Sequence, residues 1–104
     1  MIARIWRGVT PELKADRYFD YLMTTGVMDL RATDGNRGVM VFRRVSDGQA
    51  EFLLISLWES LDAIRRLAGD EVDTAVYYPE DKDYLLALEA KVMHYEVLDD
   101  LQFK

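Results

Sequence analysis

The residues with most chemical potential cluster around one strand-to-helix junction, "SLWESLDAIRRLAG", over residues 56–69. Trp58 has Phe52, Leu54 and Ser56 on its own side at period two. Aromatic and aliphatic walls with one hydroxyl suit a flat, mostly apolar ligand. The same indole would serve equally as core, or as a lid on the helix start, given one partner for its N–H. Two adjacent phenols, Tyr77 and Tyr78, stand in "AVYYP". One of them could donate to a ligand oxygen or stabilise a forming phenolate in a dry site; packing before a proline turn is the alternative. His94 is the only imidazole and Asn36 the only asparagine in the chain.

Other chemistries find no support. The chain has no cysteine, hence no thiol nucleophile, disulfide or Cys-based zinc site. There is no H-x-x-x-H or calcium-loop spacing, so no metal is expected. The acids of "PEDKD" sit where a helix start wants them. "DGNRG" is a turn, not a glycine-rich loop entering a helix. A lone histidine on a strand makes no Ser-His-Asp triad, and hydrolase and kinase classes are set aside.

Elements must hold these residues in place. Residues 2–7 read as a strand. Thr10, Pro11 and Glu12 then supply a helix cap, first position and acidic first turn. Ala15, Tyr18, Phe19, Leu22 and Met23 form one helical face that Gly26 would end. Residues 27–38 read as a connection turning at Asp34-Gly35-Asn36. A strand over 38–44, a hairpin turn at Asp47-Gly48 and a strand over 51–58 follow. Ser60 caps a helix with Leu61, Ile64, Leu67 and Ala68 inward, closed by Gly69. Pro79 begins a short helix with Tyr84, Leu85 and Leu88 inward, and residues 91–98 form a last strand.

The order β-α-β-β-α-β, with a helical insertion before the last strand, is the α+β ferredoxin-like arrangement: a four-stranded antiparallel sheet with helices on one face. All 104 residues read as a single domain. Both faces of the strands are apolar, yet the helices cover only one. A second copy of the sheet is the economical cover, predicting a homodimer through the sheet face; the alternative is that the insertion or the tail 99–104 folds over it. With Phe52 and Trp58 toward the helices, small Ala3 and Ile5 fit as their strand-one partners. Arg4 and Trp6 then point to the dimer side, with Arg4 in a polar network with His94, Glu96 and Glu51. If the faces are exchanged, His94 becomes a pocket residue.

Half of the residues are apolar, which excludes disorder, and the formal net charge is −6. An acidic chain lacks the basic footprint of a nucleic-acid binder, and anionic membrane surfaces are set aside with it. "MIARIWRG" has no signal-peptide pattern and no apolar run could span a bilayer. A cytoplasmic location is expected.

The element order, the two apolar sheet faces, "LLISLWES" running into the helix over 61–68 and the closing "HYEVL" resemble the dimeric α/β-barrel superfamily. The nearest branch is the antibiotic biosynthesis monooxygenase-like family, over about residues 2–98. The resemblance implies face-to-face sheets and a pocket between helices and sheet in each subunit. Some members oxygenate polyketide-type phenols to quinones without metal or flavin; others bind and degrade haem. Trp58 matches the tryptophan bordering the pocket in active members. Haem-degrading members carry a histidine ligand after this helix, and residues 68–78 have none. Quinone-forming members carry an asparagine on the tryptophan's strand, whereas here Asn36 precedes strand two.

The function expected is a cofactor-independent monooxygenase for an aromatic or polyketide-like molecule. Trp58 would wall the ring, Tyr77 or Tyr78 would hold an oxygen, and Asn36 or Arg31 would approach from the loop. Phe52, Leu54, Ser56, Phe19 and Leu22 would line the substrate site. The alternative is a non-enzymatic module binding a small apolar or aromatic ligand, with haem binding third.

Overall fold

The fold was obtained as a computed structural model that describes residues 1–100; the last four residues of the tail, 101–104, lie outside the described residues. Four antiparallel strands form one sheet in the order β2-β3-β1-β4, with β1 at Ile2–Pro11, β2 at Asn36–Ser46, β3 at Gln49–Trp58 and β4 at Met93–Glu96. Helices α1 (Ala15–Thr24), α2 (Gly26–Ala32), α3 (Leu61–Ala68) and α4 (Asp81–Tyr84) complete it. This is the α+β ferredoxin-like arrangement expected, helices on one face of the sheet.

The β2–β3 hairpin turns at Asp47 and Gly48, both with positive φ of 54° and 76°. Two left-handed residues make the tight turn whose twist suits the flanking strands. The turn sets the β2–β3 register, in which Val41 faces Leu54 and Val39 faces Ser56. At the far end Ser60 caps α3, its hydroxyl accepting the Ala63 N–H at 3.2 Å. Within α3 the buried pair is Ala63 and Ile64, while Leu61, expected inward, is exposed.

Two local expectations fail for identifiable reasons. Strand β1 runs on through Thr10 and Pro11, because that stretch pairs with Ala50 and Gln49 of β3. Thr10 therefore does not cap; a 3-10 turn over Glu12–Lys14 leads into α1 instead. Gly26 does not end the helical region either. The chain breaks at Thr25 (φ −119°, ψ −90°) and α2 begins at Gly26, inserting Val27 and Leu30 into the core. Apolar residues three apart outweigh the glycine there.

The sheet's two faces follow from the register, because residues directly opposite each other on paired strands share a face. Arg4 lies opposite Ser56 and His94, and Trp6 opposite Leu54. Arg4, Trp6, His94 and Glu96 are thus on the helix side with Phe52 and Trp58. This overturns the expected dimer-face network of Arg4, His94 and Glu96. Ala3 and Ile5 point the other way, and Glu96 is exposed. Glu51 alone of that set is on the far face, where it pairs with Arg7 and Arg44.

That far face is apolar and, among the described residues, uncovered. Met40, Phe42, Met93 and Tyr95 are all exposed there, around half-buried Leu53, Ile55 and Leu57. On the helix side the core comprises Trp6, Tyr18, Phe52, Trp58 and Ile64 with smaller apolar residues around them. No helix of the described residues is long and apolar enough to cross a membrane.

Candidate functional site

A cavity of about 50 Å³, open on one side, lies between the sheet and the helices. Its floor is Arg4, Trp6, Leu54 and Ser56 from the sheet; Leu22, Leu30 and Leu67 close it from the helices. The connection between α3 and β4 supplies the rest of the wall, including Tyr77, Tyr78 and Asp81. This space holds a few waters or a small planar group.

Trp6 reaches the cavity because Gly8 makes room for it. A Cβ at Gly8 would stand 2.2 Å from the Trp6 ring, far inside any real contact. The indole Nε1–H then donates to the Tyr77 hydroxyl at 3.2 Å, and that hydroxyl donates to the Glu89 carbonyl at 2.6 Å. Tyr78 spends its hydroxyl on Asp29 Oδ2 at 2.5 Å. Both phenols are held above the ordinary tyrosine range, chiefly by burial, with nearby carboxylates adding to it. As placed, neither has a hydrogen to spare for a ligand.

Asp81 is the buried acid of the site. It is 4% exposed, and its two oxygens accept the Tyr18 hydroxyl at 3.3 Å and the Tyr78 backbone N–H at 2.7 Å. Burial raises its carboxyl above the usual range, against the opposing pull of those two hydrogen bonds. A carboxylate oxygen has a second lone pair, so Asp81 retains the capacity to take a proton from something in the cavity.

Arg4 occupies the opposite chemistry. It is 5% exposed, its Nη1 donating to the Val72 carbonyl and to His94 Nε2 at 3.1 Å, its Nη2 to the Thr74 carbonyl at 2.8 Å. A guanidinium only donates, so His94 Nε2 accepts. The ring proton then sits on Nδ1, facing Asp73 Oδ1 at 2.9 Å. Burial lowers the Arg4 pKa and the nearby Asp73 charge partly restores it.

Solved structures share this architecture. A Bacillus cereus protein provisionally assigned as an antibiotic biosynthesis monooxygenase superposes with a TM-score of 0.67 at 14% identity, over 98% of this chain and 97% of its own. The chain has the antibiotic biosynthesis monooxygenase-like fold. Rv0793 from Mycobacterium tuberculosis matches with a TM-score of 0.60 at 21% identity, covering 97% and 98% of the two chains. The heme-degrader MhuD of the same organism, with two hemes bound in its active site, gives 0.59 at 17% identity over 98% and 100%. No known family profile and no curated protein matches the sequence itself. At such identities the likeness is one of fold.

Within this antibiotic biosynthesis monooxygenase-like fold, the expected site residues divide. Leu22, Leu54, Ser56, Tyr77 and Tyr78 line the cavity. Trp58 and Phe52 are fully buried directly behind that lining, Trp58 donating Nε1–H to Ser56 Oγ at 2.8 Å and Phe52 meeting the Tyr18 ring edge-on at 5.3 Å. Asn36 opens β2 opposite Trp58, not in a loop; its Oδ1 accepts the Gly38 N–H and its Nδ2 is buried without a partner among the described residues. Phe19 and Arg31 are exposed on α1 and α2, away from the cavity. Arg4, Trp6 and Asp81 were not anticipated there. Asp81 looked like an ordinary helix-start acid, and the one sign of Trp6 was the glycine two residues on.

A histidine-ligated haem does not fit these residues. Both His94 nitrogens are engaged, by Arg4 and Asp73, and the cavity is far smaller than a porphyrin.

Proposed function

We propose that this chain is a monooxygenase working without a bound cofactor on a small electron-rich aromatic, in the cavity between the sheet and the helices. The observation that carries the reading is Asp81: a buried carboxylate with raised proton affinity lining a mostly apolar cavity that Trp6 also lines. Such a group is a general base suited to a weakly acidic phenol. It takes the phenol proton, and the electron-rich ring passes electrons to dioxygen and forms a C–O bond. Loss of water from the resulting hydroperoxide leaves a quinone, so that phenol plus dioxygen yields quinone plus water. Ser56 supports the assignment, since its Oγ accepts from Trp58 and its own hydrogen is left to donate to a substrate oxygen.

The test is oxygen uptake with a panel of phenols and hydroquinones. Consumption that falls at least about tenfold in a folded Asp81→Asn variant supports the reading. No uptake with any of them overturns it. One observation favours a second reading, a non-enzymatic ligand-binding module: the Tyr77 and Tyr78 hydroxyls are already committed to protein acceptors. Saturable binding without oxygen uptake would select it.

The open far face supports a second element of the proposal, a homodimer in which two sheets meet through Phe42, Ile55 and their neighbours. Exposed large apolar groups contiguous on one face are a usual mark of an interface.

A further inference from the structure

Arg4 is a buried cation in a mostly apolar cavity whose other charged lining residue is Asp81, and no carboxylate among the described residues lies within ion-pair distance of it. Its hydrogen-bond partners among the described residues are the carbonyls of Val72 and Thr74 and the lone pair of His94. Three of the five guanidinium N–H groups are thereby used. Nε–H and one Nη2–H have no partner among the described residues. An uncompensated buried charge is strongly disfavoured unless something neutralises it. Asp73, hydrogen-bonded to the far side of His94, offsets the charge only in part, since burial still holds the Arg4 pKa below its ordinary value. Why the chain tolerates a guanidinium here is answered if a ligand brings the counter-charge.

We infer that the cavity takes a small planar carboxylate, its anionic group anchored on Arg4 and its apolar body lying on Trp6, Leu54 and Leu30. A planar fork of N–H groups matches carboxylate geometry better than any other side chain. The rest of the cavity sets where the charge must lie. Asp81 repels a second anion at its end, where Tyr18 and Tyr78 surround it. Ser56 stands opposite Arg4 on β3 with its hydroxyl hydrogen unspent. The ligand is therefore charged at one end and neutral or weakly acidic at the other. This narrows the substrate class of the proposed oxygenase to aromatic acids, and it rests on that reading only for the reaction, not for the binding.

Calorimetry with benzoate and benzamide, performed without oxygen, tests the inference on the full chain. The two probes share shape and differ in charge. Benzoate is expected to bind one per chain and benzamide at least about tenfold more weakly, as loss of a charge-assisted hydrogen bond dictates. Arg4→Met should erase that preference, and Arg4→Lys, which keeps the charge without the fork, should retain part of it. The lysine variant also serves if the methionine one fails to fold. Equal affinity for the two probes, no binding of benzoate, or a preference that survives Arg4→Met overturns the anchor. Oxygen uptake restricted to neutral phenols would overturn it too while leaving the oxygenase standing. Benzoate binding with no oxygen uptake does the reverse.

Discussion

Ser56→Ala separates packing from site chemistry at the residue that touches both. Ser56 is 2% exposed and Trp58 is fully buried, and the indole N–H has Ser56 Oγ as its acceptor at 2.8 Å. Removing the hydroxyl deletes one atom, so the packing term is small. The main cost is a buried N–H without an acceptor, about 1–3 kcal/mol. The cavity next to Ser56 admits a water, which would accept from the indole and bring the loss toward the lower end. In a domain this size each kcal/mol moves the midpoint by about 4–8 °C, so a loss of about 2 kcal/mol lowers it by about 8–16 °C. Thermal and urea unfolding followed by far-UV circular dichroism measure it. Trp58→Phe in the Ser56→Ala background removes the orphaned donor. The double variant should therefore lose less than the sum of the single losses, with a coupling of about 1 kcal/mol. Ser56→Ala with unchanged stability, or strict additivity in the cycle, would refute the claim that this hydroxyl exists to satisfy Trp58.

Two further expectations concern charge and assembly. Burial raises the Asp81 carboxyl, so the folded chain holds that proton more tightly than the unfolded one. The stability it contributes is full below the ordinary carboxylate value and is lost as pH rises through the raised folded value. Asp81→Asn, which can still accept from Tyr78, should thus lose less stability than the parent as pH rises above the ordinary carboxylate value of about 4; identical slopes in urea titrations would refute the buried-acid assignment. For the sheet face, sedimentation at micromolar concentration should give a dimer that Phe42→Glu converts to a monomer. A parent chain that is already monomeric would contradict that cover for the far face.

The architecture was largely legible because each element carried its own local signal. Asp47-Gly48 marks a two-residue hairpin, Ser60 a helix start and Gly69 its end, and each does in the structure what its chemistry demands. Elements without such marks were misread. Nothing local distinguishes Gly26 as a helix start from Gly26 as a stop; Val27 and Leu30 decide it by finding core on the far side of the break. Thr10 and Pro11 carry every sign of a helix cap. Strand pairing with Ala50 and Gln49, more than thirty residues away, overrides them.

The site was less legible, and strand β1 shows why. Its two period-two sets each contain an arginine, Arg4 in one and Arg7 in the other, so polarity does not reveal which set faces inward. Size pointed the wrong way, since Ala3 and Ile5 are smaller than Trp6. What decides the matter is the β1–β3 register, and no turn sets it, because β1 and β3 are joined through two helices and another strand. A slip of one residue exchanges the faces. With the observed register Arg7 finds Glu51 and Glu89 on the exposed side, while Arg4 enters the interior against carbonyls and a histidine. Of two arginines three residues apart, the exposed one has two carboxylates in contact, while the buried one has none in contact among the described residues and feels Asp73 from beyond His94. A sequence that only had to be stable would have arranged those pairings the other way round, because a charge needs its partner most where water is absent. The thinly compensated charge on Arg4 is the feature of β1 that the proposed carboxylate ligand accounts for.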